Sequence, residues 1–444
     1  MTASSGRFIL EIEDCRVVKN RILSFHLLLL TCVFAAAGDI AAQVPPDGVV
    51  AAPAPAEEAP VPAPSPIRIL YSPPGDASNS GANWPRAIEL RHAQGMEGQL
   101  LATFSRRGPT FPIYRSVDGG VSWHFWSEIR QTKWQTGGWG LNYQPTLFEL
   151  PQAIGEFPAG TILAAGLAFP TYATATELQL FASRDGGKTW AYISTIADGG
   201  PPLARSSNPV WEPHLAIDLY GRLVAYFADA RHQADGYGQV LALKVSSDGG
   251  RTWDPESYSV ALPGDLRPAS PMMLRLPGNR FVQAFQVIGM PGDPVHLKTS
   301  PDGIDWGDAA SLGTPIQDAN GNFLSGTPFI SWSPYGSEWG TLIASGSAMV
   351  VDGVAVGGGV MINHRYGAGP WEILETPIQY EVSEQAGYGQ SHLPVGDGRR
   401  VLQMVPVRNG LKAHNDIVYG AFELPVEVVV GGETVGAEEA VPVE

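Results

Sequence analysis

The chain has 444 residues and a formal net charge of −16, from 28 basic and 44 acidic side chains. This acidic balance argues against nucleic acid as a partner, and the length suffices for a large core or for more than one domain. The 52 Gly and 38 Pro, with short alternating apolar runs and few helical patterns, are typical of an all-β protein rich in turns.

The two cysteines, Cys15 and Cys32, both lie near the start of the chain. We therefore expect the mature domain to hold no disulfide, no thiolate nucleophile and no cysteine-ligated metal. The nine His residues form no H-E-x-x-H pattern. The sequence predicts neither a metal nor a cofactor.

The first 66 residues are predicted to lie outside the globular domain. Residues 1–43 resemble a secretory signal peptide, because the apolar run Ile22–Ala37 is short, follows basic residues and ends in small residues. We therefore expect a secreted, cell-surface or periplasmic protein that is free of the membrane after cleavage. Cys32, in L-L-T-C, leaves a lipid anchor open as an alternative. Residues 44–66 are rich in Pro and Ala and predict an extended linker.

One short motif recurs four times, at Ser116–Trp123, Ser183–Trp190, Ser246–Trp253 and, one residue shorter, Ser300–Trp306. Each copy follows a short apolar run, which indicates strand, tight turn and strand. The Asp can accept hydrogen bonds from the N–H groups of its own turn, the glycines tolerate positive φ, and the Trp can pack against the hairpin. The motif therefore predicts a structural turn rather than a sugar contact, and its recurrence predicts a repeat architecture.

These motifs resemble the Asp boxes of the sialidase-like proteins, and the resemblance implies a six-bladed β-propeller. Residues 67–425 would form it, which allows about 60 residues per blade, a normal length for four strands and their loops. In that fold the boxes lie on the rim away from the active site. The remaining residues, 426–444, hold five Glu and no basic residue and are interpreted as an acidic tail.

The sharpest candidate for chemistry is Glu212, in W-E-P at the start of an apolar strand. A carboxylate held against an aromatic ring, here Trp211, in a partly desolvated place suits the nucleophile of a glycosidase. The alternative is a carboxylate at a strand end that pairs with an arginine.

Gln144–Ser194, the W-E-P segment and Arg267–Pro268 together resemble glycoside hydrolase family 93, the exo-acting arabinanases on a sialidase-type propeller. The resemblance implies a retaining enzyme with two Glu and a nearby Tyr, and it assigns the nucleophile to Glu212. The position of the acid/base Glu is taken by Gln286, at the end of L-P-G-N-R-F-V-Q-A-F-Q. An amide cannot transfer a proton, so either Asp229 or Asp265 replaces it, or the protein binds sugar without ordinary turnover.

Two arginines and one tyrosine complete the predicted site. Arg86, in W-P-R, and Arg267, in L-R-P, would orient the terminal sugar, although a strand-end salt bridge is the alternative for Arg86. Tyr388, in G-Y-G-Q-S, matches the late Tyr of the resembling families and would support the catalytic Glu. This segment lacks the third arginine that sialidases use to hold sialate, and neither Arg365 nor Arg408 has the motif context.

Aromatic residues near these positions could form a platform for sugar rings. The candidates are Trp84, Trp139, Tyr143 and Phe169, and Trp211 is a further candidate for substrate binding. Because aromatic residues also fill propeller blades, packing inside a blade is the alternative for each of them.

The sequence thus predicts an exo-acting, retaining glycoside hydrolase that cleaves terminal sugars from a plant-type arabinan or a related glycan. Two alternatives stay open. One is a carbohydrate-binding propeller without catalysis, which Gln286 motivates, and the other is a true exo-sialidase, which the Asp boxes suggest. The expected partner is an oligosaccharide or polysaccharide, and we expect a monomer.

Overall fold

A computed structural model describes residues 66–74, 81–106, 108–131, 138–202, 207–383, 385–410 and 414–427. The predicted signal peptide lies outside the described residues, as do both cysteines, nearly all of the predicted linker and all but the first two residues of the predicted tail. Within the described part of the chain, no helix has the length and apolar character needed to cross a membrane.

The described chain begins with the strand β1 (Arg68–Tyr71) and then forms four-stranded antiparallel sheets, numbered here as blades one to six. Blade one contains β2 (Asn83–Glu89), β3 (Leu100–Ser105), β4 (Thr110–Ser116) and β5 (His124–Arg130). Blade two contains β6 (Trp139–Glu149), β7 (Ile162–Pro170), β8 (Thr176–Ser183) and β9 (Ala191–Gly199). Blade three contains β10 (Val210–Ile217), β11 (Leu223–Asp229), β12 (Tyr237–Ser246) and β13 (Ser257–Pro263), with a 3-10 turn at Gln233–Asp235.

Blade four contains β14 (Arg267–Leu276), β15 (Arg280–Ile288), β16 (Val295–Ser300) and β17 (Thr314–Pro315). A three-stranded sheet is inserted around blade five, from β18 (Phe323–Ser325), β21 (Ala348–Val351) and β22 (Val354–Val356). Blade five itself contains β19 (Phe329–Ser333), β20 (Thr341–Ser345), β23 (Val360–Asn363) and β24 (Glu372–Leu374). Blade six contains β25 (Ser391–Val395), β26 (Arg400–Asn409) and β27 (His414–Glu423), and the described residues thus form the predicted six-bladed β-propeller.

The two ends of the domain meet in blade six. Strand β1 pairs antiparallel with β27, with Arg68 opposite Tyr419, and so becomes the outermost strand of the last blade. Arg400 Nη1 then donates to the carbonyl of Gly119, 2.8 Å away, in the first repeat turn. The first blade is therefore held to the last by side chains as well as by the path of the chain.

The core lies between neighbouring blades. Strand β11 is buried along its whole length, and Phe227 on it packs with Leu180 and Leu215 between blades two and three. Burial of each such side chain contributes about 1.5–3 kcal/mol. The stacking of sheet on sheet thus explains why the middle strands are apolar on both faces.

The four repeats are the turns between the third and fourth strands of blades one to four. In the second copy, Ser183 Oγ accepts the N–H of Gly187 at 2.9 Å, and Asp185 Oδ1 accepts that of Thr189 at 2.8 Å. The ring of Trp190 points to the preceding blade, where its Nε1 lies 3.3 Å from Ser127 Oγ. Each such turn therefore closes its own hairpin, and its tryptophan also joins two blades.

The repeat turns lie at one edge of the blades, and the starts of the innermost strands lie at the other. In blade three, Ser246 of the repeat pairs with Leu223, whereas Val210 at the start of β10 pairs with Asp229. Because the strands are antiparallel, the W-E-P segment is at the edge opposite the repeat turn, as the sequence predicts.

The aspartates of the repeat turns make the free energy of unfolding depend on pH under acidic conditions. Burial opposes ionisation of Asp248, but hydrogen bonds from Thr252, Ser246 and the N–H of Arg251 lower its pKa to about 2. Its contribution is therefore fully present above the unfolded-state pKa of about 3.9 and is lost as the pH falls towards 2. We expect Asp248→Asn to lower the free energy of unfolding by roughly 0.5–1 kcal/mol at pH 6.

Urea unfolding at pH 6, 4 and 2 measures this effect, and the difference between Asp248→Asn and the unaltered protein should shrink as the pH falls. Asp254→Asn is the matched control, because this exposed carboxylate follows the same turn and makes no hydrogen bond to a described residue. An equal loss for both variants, or a loss independent of pH, would contradict the prediction.

Candidate active site

The innermost strands of blades one to four share an irregularity near their start. In each, a residue and the proline after it oppose a single residue of the second strand, which forms a β-bulge. The residue before the proline has a left-handed backbone, at Trp84 (φ 59°), Gln144 (φ 58°), Glu212 (φ 60°) and Ser270 (φ 54°). A residue before proline prefers the extended region, so each costs on the order of 1–3 kcal/mol. Strain repeated around one edge of the ring marks this edge as the functional one.

Three of these bulges are joined through Glu212. The N–H of Glu212 donates to Gln144 Oε1 of blade two at 3.0 Å. Its carboxylate accepts the N–H of Ser270 of blade four, and Ser270 Oγ donates to Oε1 at 2.9 Å. Ser270 Oγ in turn accepts the amide of Gln286 at 3.1 Å. The carboxylate is therefore fixed in direction by two hydrogen bonds from blade four, and the backbone of Glu212 is bonded to blade two.

The charge state of Glu212 is set by opposing effects. Burial raises the pKa of its carboxyl, whereas the hydrogen bonds from Ser270 and the positive charges of Arg267 and Arg86 lower it, with a net raised pKa. Burial also lowers the pKa of Arg86 to about 9, against the attraction of Glu212. Arg86 remains a cation at neutral pH and favours the ionised form of Glu212.

Arg86 and Arg267 are both held near the centre of the ring. Arg86 is buried, and its Nη1 donates to the carbonyls of Pro85 at 2.8 Å and Gly389 at 2.6 Å. Arg267 is partly exposed, and its Nη2 lies 3.3 Å from Gln239 Oε1. Arg365, by contrast, lies in the turn that follows β23, at the edge of the repeat turns, 3.8 Å from Glu427. The geometry thus brings the two predicted arginines to Glu212 and leaves Arg365 elsewhere.

Tyr388 lies beside this cluster. Its ring packs on Trp84 with centroids 5.3 Å apart, and its carbonyl accepts the N–H of Trp84 at 3.3 Å. Burial raises the pKa of Tyr388 to about 12, and the negative charge of Glu212 contributes. The phenol is therefore neutral at ordinary pH and acts as a hydrogen-bond donor rather than as a phenolate.

The two aspartates predicted as substitute acids lie in different settings. Asp229 is fully buried, and Arg231 binds it with Nε 2.9 Å from Oδ1 and 3.1 Å from Oδ2. Asp229, His232 and Glu256 form a group compact enough for a metal ion, but the guanidinium of Arg231 bridges the two carboxylates. Asp265 is exposed in the turn before β14. No described contact joins either aspartate to Glu212.

The aromatic residues predicted to contact sugar differ in their exposure and packing. Tyr143 is 42% exposed next to the bulge at Gln144, and its ring lies 5.9 Å from that of Phe169. Trp211 is partly buried and packs against the cores on both sides of blade three. Trp139 is also partly buried and packs against the core of blades one and two. Tyr143 therefore offers the most open ring of the three.

Two residues of the site were not predicted from the sequence, Gln144 and Ser270. A signal for them was present, because X-Pro recurs early in four successive innermost strands as W-P, Q-P, E-P and S-P. The alignment of these dipeptides with W-E-P would have placed both residues beside Glu212.

A six-bladed propeller with a carboxylate fixed between arginines and a neutral tyrosine defines a sialidase-like protein with a glycosidase type of site. No model of a known protein family matches the chain, and no curated protein matches it. Solved structures do. An α-L-arabinanase of Penicillium chrysogenum in complex with arabinobiose is 30% identical, over 82% of this chain and 99% of that one, with a TM-score of 0.71.

The α-L-arabinofuranosidase Arb93A of Fusarium graminearum, with an iminosugar inhibitor, is 26% identical over 80% of this chain and 97% of that one, with a TM-score of 0.68. A second Fusarium graminearum structure, a GH93 α-L-arabinofuranosidase with arabinobiose, is 26% identical over 80% and 96% of the two chains, with a TM-score of 0.68. The chain belongs to glycoside hydrolase family 93.

Close packing at Gly389 holds the arginine and the tyrosine together. Gly389 has a φ of +66°, and a Cβ there would lie 2.6 Å from Cδ2 of Trp84. A left-handed alanine alone costs about 1–2 kcal/mol of stability. We expect the clash with Trp84 to make Gly389→Ala lower the free energy of unfolding by about 1–3 kcal/mol more than that. Thermal unfolding measures the effect.

The matched control is Gly396→Ala, since Gly396 has a φ of +64° and no neighbouring atom within 4 Å of the added Cβ. The difference between the two variants isolates the contact with Trp84. Equal destabilisation of both would show that this contact does not constrain the site.

Proposed function

We propose that the protein is an exo-acting, retaining glycoside hydrolase that removes terminal arabinose units from arabinan or a related glycan. The observation that carries the proposal is the placement of Glu212, a carboxylate on a strained bulge, bound by Ser270 and flanked by Arg86, Arg267 and Tyr388. The arabinobiose in two of the similar structures supports the choice of substrate class.

In this proposal Glu212 is the nucleophile. Its carboxylate attacks the anomeric carbon as the bond to the glycosidic oxygen breaks and the shortened glycan departs. Water then hydrolyses the resulting glycosyl-enzyme. The Ser270 hydrogen bonds direct one lone pair of each oxygen, and the charges of Arg267 and Arg86 favour ionisation. The same groups stabilise the carboxylate when it leaves the sugar in the second step.

The other residues bind and orient the terminal sugar. Tyr388 keeps its proton, so it can donate a hydrogen bond to Glu212 or to the ring oxygen of the sugar. Arg86 and Arg267 supply donors for the sugar hydroxyls, and Tyr143 with Phe169 supplies an aromatic face for a neighbouring sugar. Gln286 contributes through its hydrogen bond to Ser270.

Glu212→Gln tests the proposal. We expect the unaltered protein to release arabinose from linear arabinan and arabino-oligosaccharides, and the variant to lose about 10³-fold or more in kcat, because an amide is a poor nucleophile. An aryl sialoside in the same panel tests for sialidase activity. The melting temperature of the variant serves as the control for folding. Full activity of Glu212→Gln on arabinan would refute the proposal.

A second candidate, a carbohydrate-binding propeller without turnover, is favoured by the amide at Gln286. Under this alternative the unaltered protein binds arabino-oligosaccharides in calorimetry but releases no sugar, and Gln286→Glu gains hydrolysis. Turnover of arabino-oligosaccharides by the unaltered protein would exclude it.

We also propose that the enzyme acts outside the cytoplasm, on the basis of the sequence of residues 1–43. We expect the full chain to be exported from cells and the same chain without residues 1–43 to be retained. Comparison of culture fluid and cell extract measures this, and export of both forms would contradict it.

A further inference from the structure

The site as described lacks a group that can protonate the departing glycosidic oxygen. Gln286 is 2% exposed, and its amide is engaged with Ser270. Asp229 is bound by Arg231, and Asp265 lies on an exposed turn. Another carboxylate, Asp293, lies on the same hairpin as Gln286.

Asp293 lies in the turn that joins β15 to β16, at the edge of the blade where the catalytic groups meet. Gln286 at the end of β15 pairs with Val295 at the start of β16, so the turn begins beside Gln286. The carbonyl of Asp293 accepts the N–H of Gly326 at 3.0 Å. This bond brings the turn of blade four against the start of blade five.

The same short segment of blade five also contacts the tyrosine loop. Thr327, next to Gly326, accepts through Oγ1 the N–H of Gly389 at 2.8 Å, and Gly389 directly follows Tyr388. The turn of Asp293 and the loop of Tyr388 therefore both hydrogen-bond to residues 326–327. The charge of Asp293 is felt at the phenol, whose pKa is raised first by burial, then by Glu212 and then by Asp293.

The carboxylate of Asp293 is positioned but not neutralised. Its Oδ1 accepts the N–H of Gly289 at 3.0 Å, and no cationic side chain among the described residues pairs with it. The side chain is partly buried, and the backbone has a left-handed φ of 43°. A residue held in this conformation at the rim of a site, with one oxygen fixed by the backbone, has its second oxygen available for a substrate.

We propose that Asp293 is the general acid and base of this enzyme, in place of the carboxyl that Gln286 lacks. The inference rests on the proposed function. In the first step the Asp293 carboxyl gives its proton to the glycosidic oxygen as the bond from that oxygen to the anomeric carbon breaks. The electron pair stays on the oxygen, and Glu212 bonds to the carbon. In the second step the Asp293 carboxylate takes a proton from water as the water oxygen displaces Glu212.

Asp293→Asn removes the carboxyl group that carries the transferred proton and keeps the size and shape of the side chain. Asparagine keeps the oxygen that accepts the N–H of Gly289, and it tolerates the left-handed backbone. We expect a loss of about 10²–10⁴-fold in kcat on arabinotriose, whose leaving alcohol needs a proton. On 2,4-dinitrophenyl α-L-arabinofuranoside, whose leaving group needs none, the loss in kcat/KM should stay below about tenfold, because kcat/KM reports the first step only. Added azide should yield arabinofuranosyl azide with this variant and not with the unaltered protein.

Asp265→Asn is the matched control, since it removes an exposed carboxylate from the same face of the ring, and it should act as the unaltered protein does on both substrates. If Asp293→Asn keeps full activity on arabinotriose, or loses kcat/KM equally on both substrates, the role of Asp293 is overturned while the proposed function stands. If the unaltered protein hydrolyses neither substrate, or if Glu212→Gln hydrolyses both, the proposed function itself fails, and the role of Asp293 with it.

Discussion

The site depends on a left-handed residue before a proline, repeated in the innermost strands of four blades. A bulge of two residues against one turns the side chain out of the sheet, towards the centre of the ring. The strained backbone is offset by what surrounds it. The opposing residue of the second strand is a buried phenylalanine in three of the blades, and Glu212 accepts bonds from Ser270 and donates to Gln144.

The two edges of the blades have different tasks. At one edge, the repeat turns close hairpins and join blades through tryptophan, with Trp190 bonded to Ser127 and Trp253 bonded to Ser194. Within each turn the hydrogen bonds are local, and the carboxylates stay exposed or only partly buried. At the other edge, strained residues converge and bury charge. The repeat turns and the stacked cores stabilise the fold. This stability offsets the left-handed backbone and the burial of Glu212 at the other edge.

How much of the structure could be predicted from the sequence depends on how far apart along the chain the interacting residues lie. The repeat turn lies within eight residues, so its Asp, Gly and Trp predict the hairpin, and the resemblance of its four copies to Asp boxes implies the propeller. Glu212, Arg86 and Tyr388 stand in recognisable segments, and the structure brings them together. The bonds that orient Glu212 join residues 58 and 68 positions apart, and no local pattern encodes such pairing. The sequence offers Asp229 as a substitute acid, but in the structure Arg231 binds its carboxylate.

The amide at Gln286 is consistent with the electrostatics around Glu212. A second carboxylate there would share Ser270 with Glu212, and two like charges so close would raise the pKa of the nucleophile further, on top of its burial. A neutral amide donates to Ser270 instead, so that the serine hydroxyl can direct its own proton to Glu212. Arg86 and Arg267 then act on one buried carboxylate, which favours its ionised form. Placing the proton-transferring carboxyl on the turn at Asp293 gives it a hydrogen-bond partner of its own, Gly289, and leaves Ser270 to Glu212.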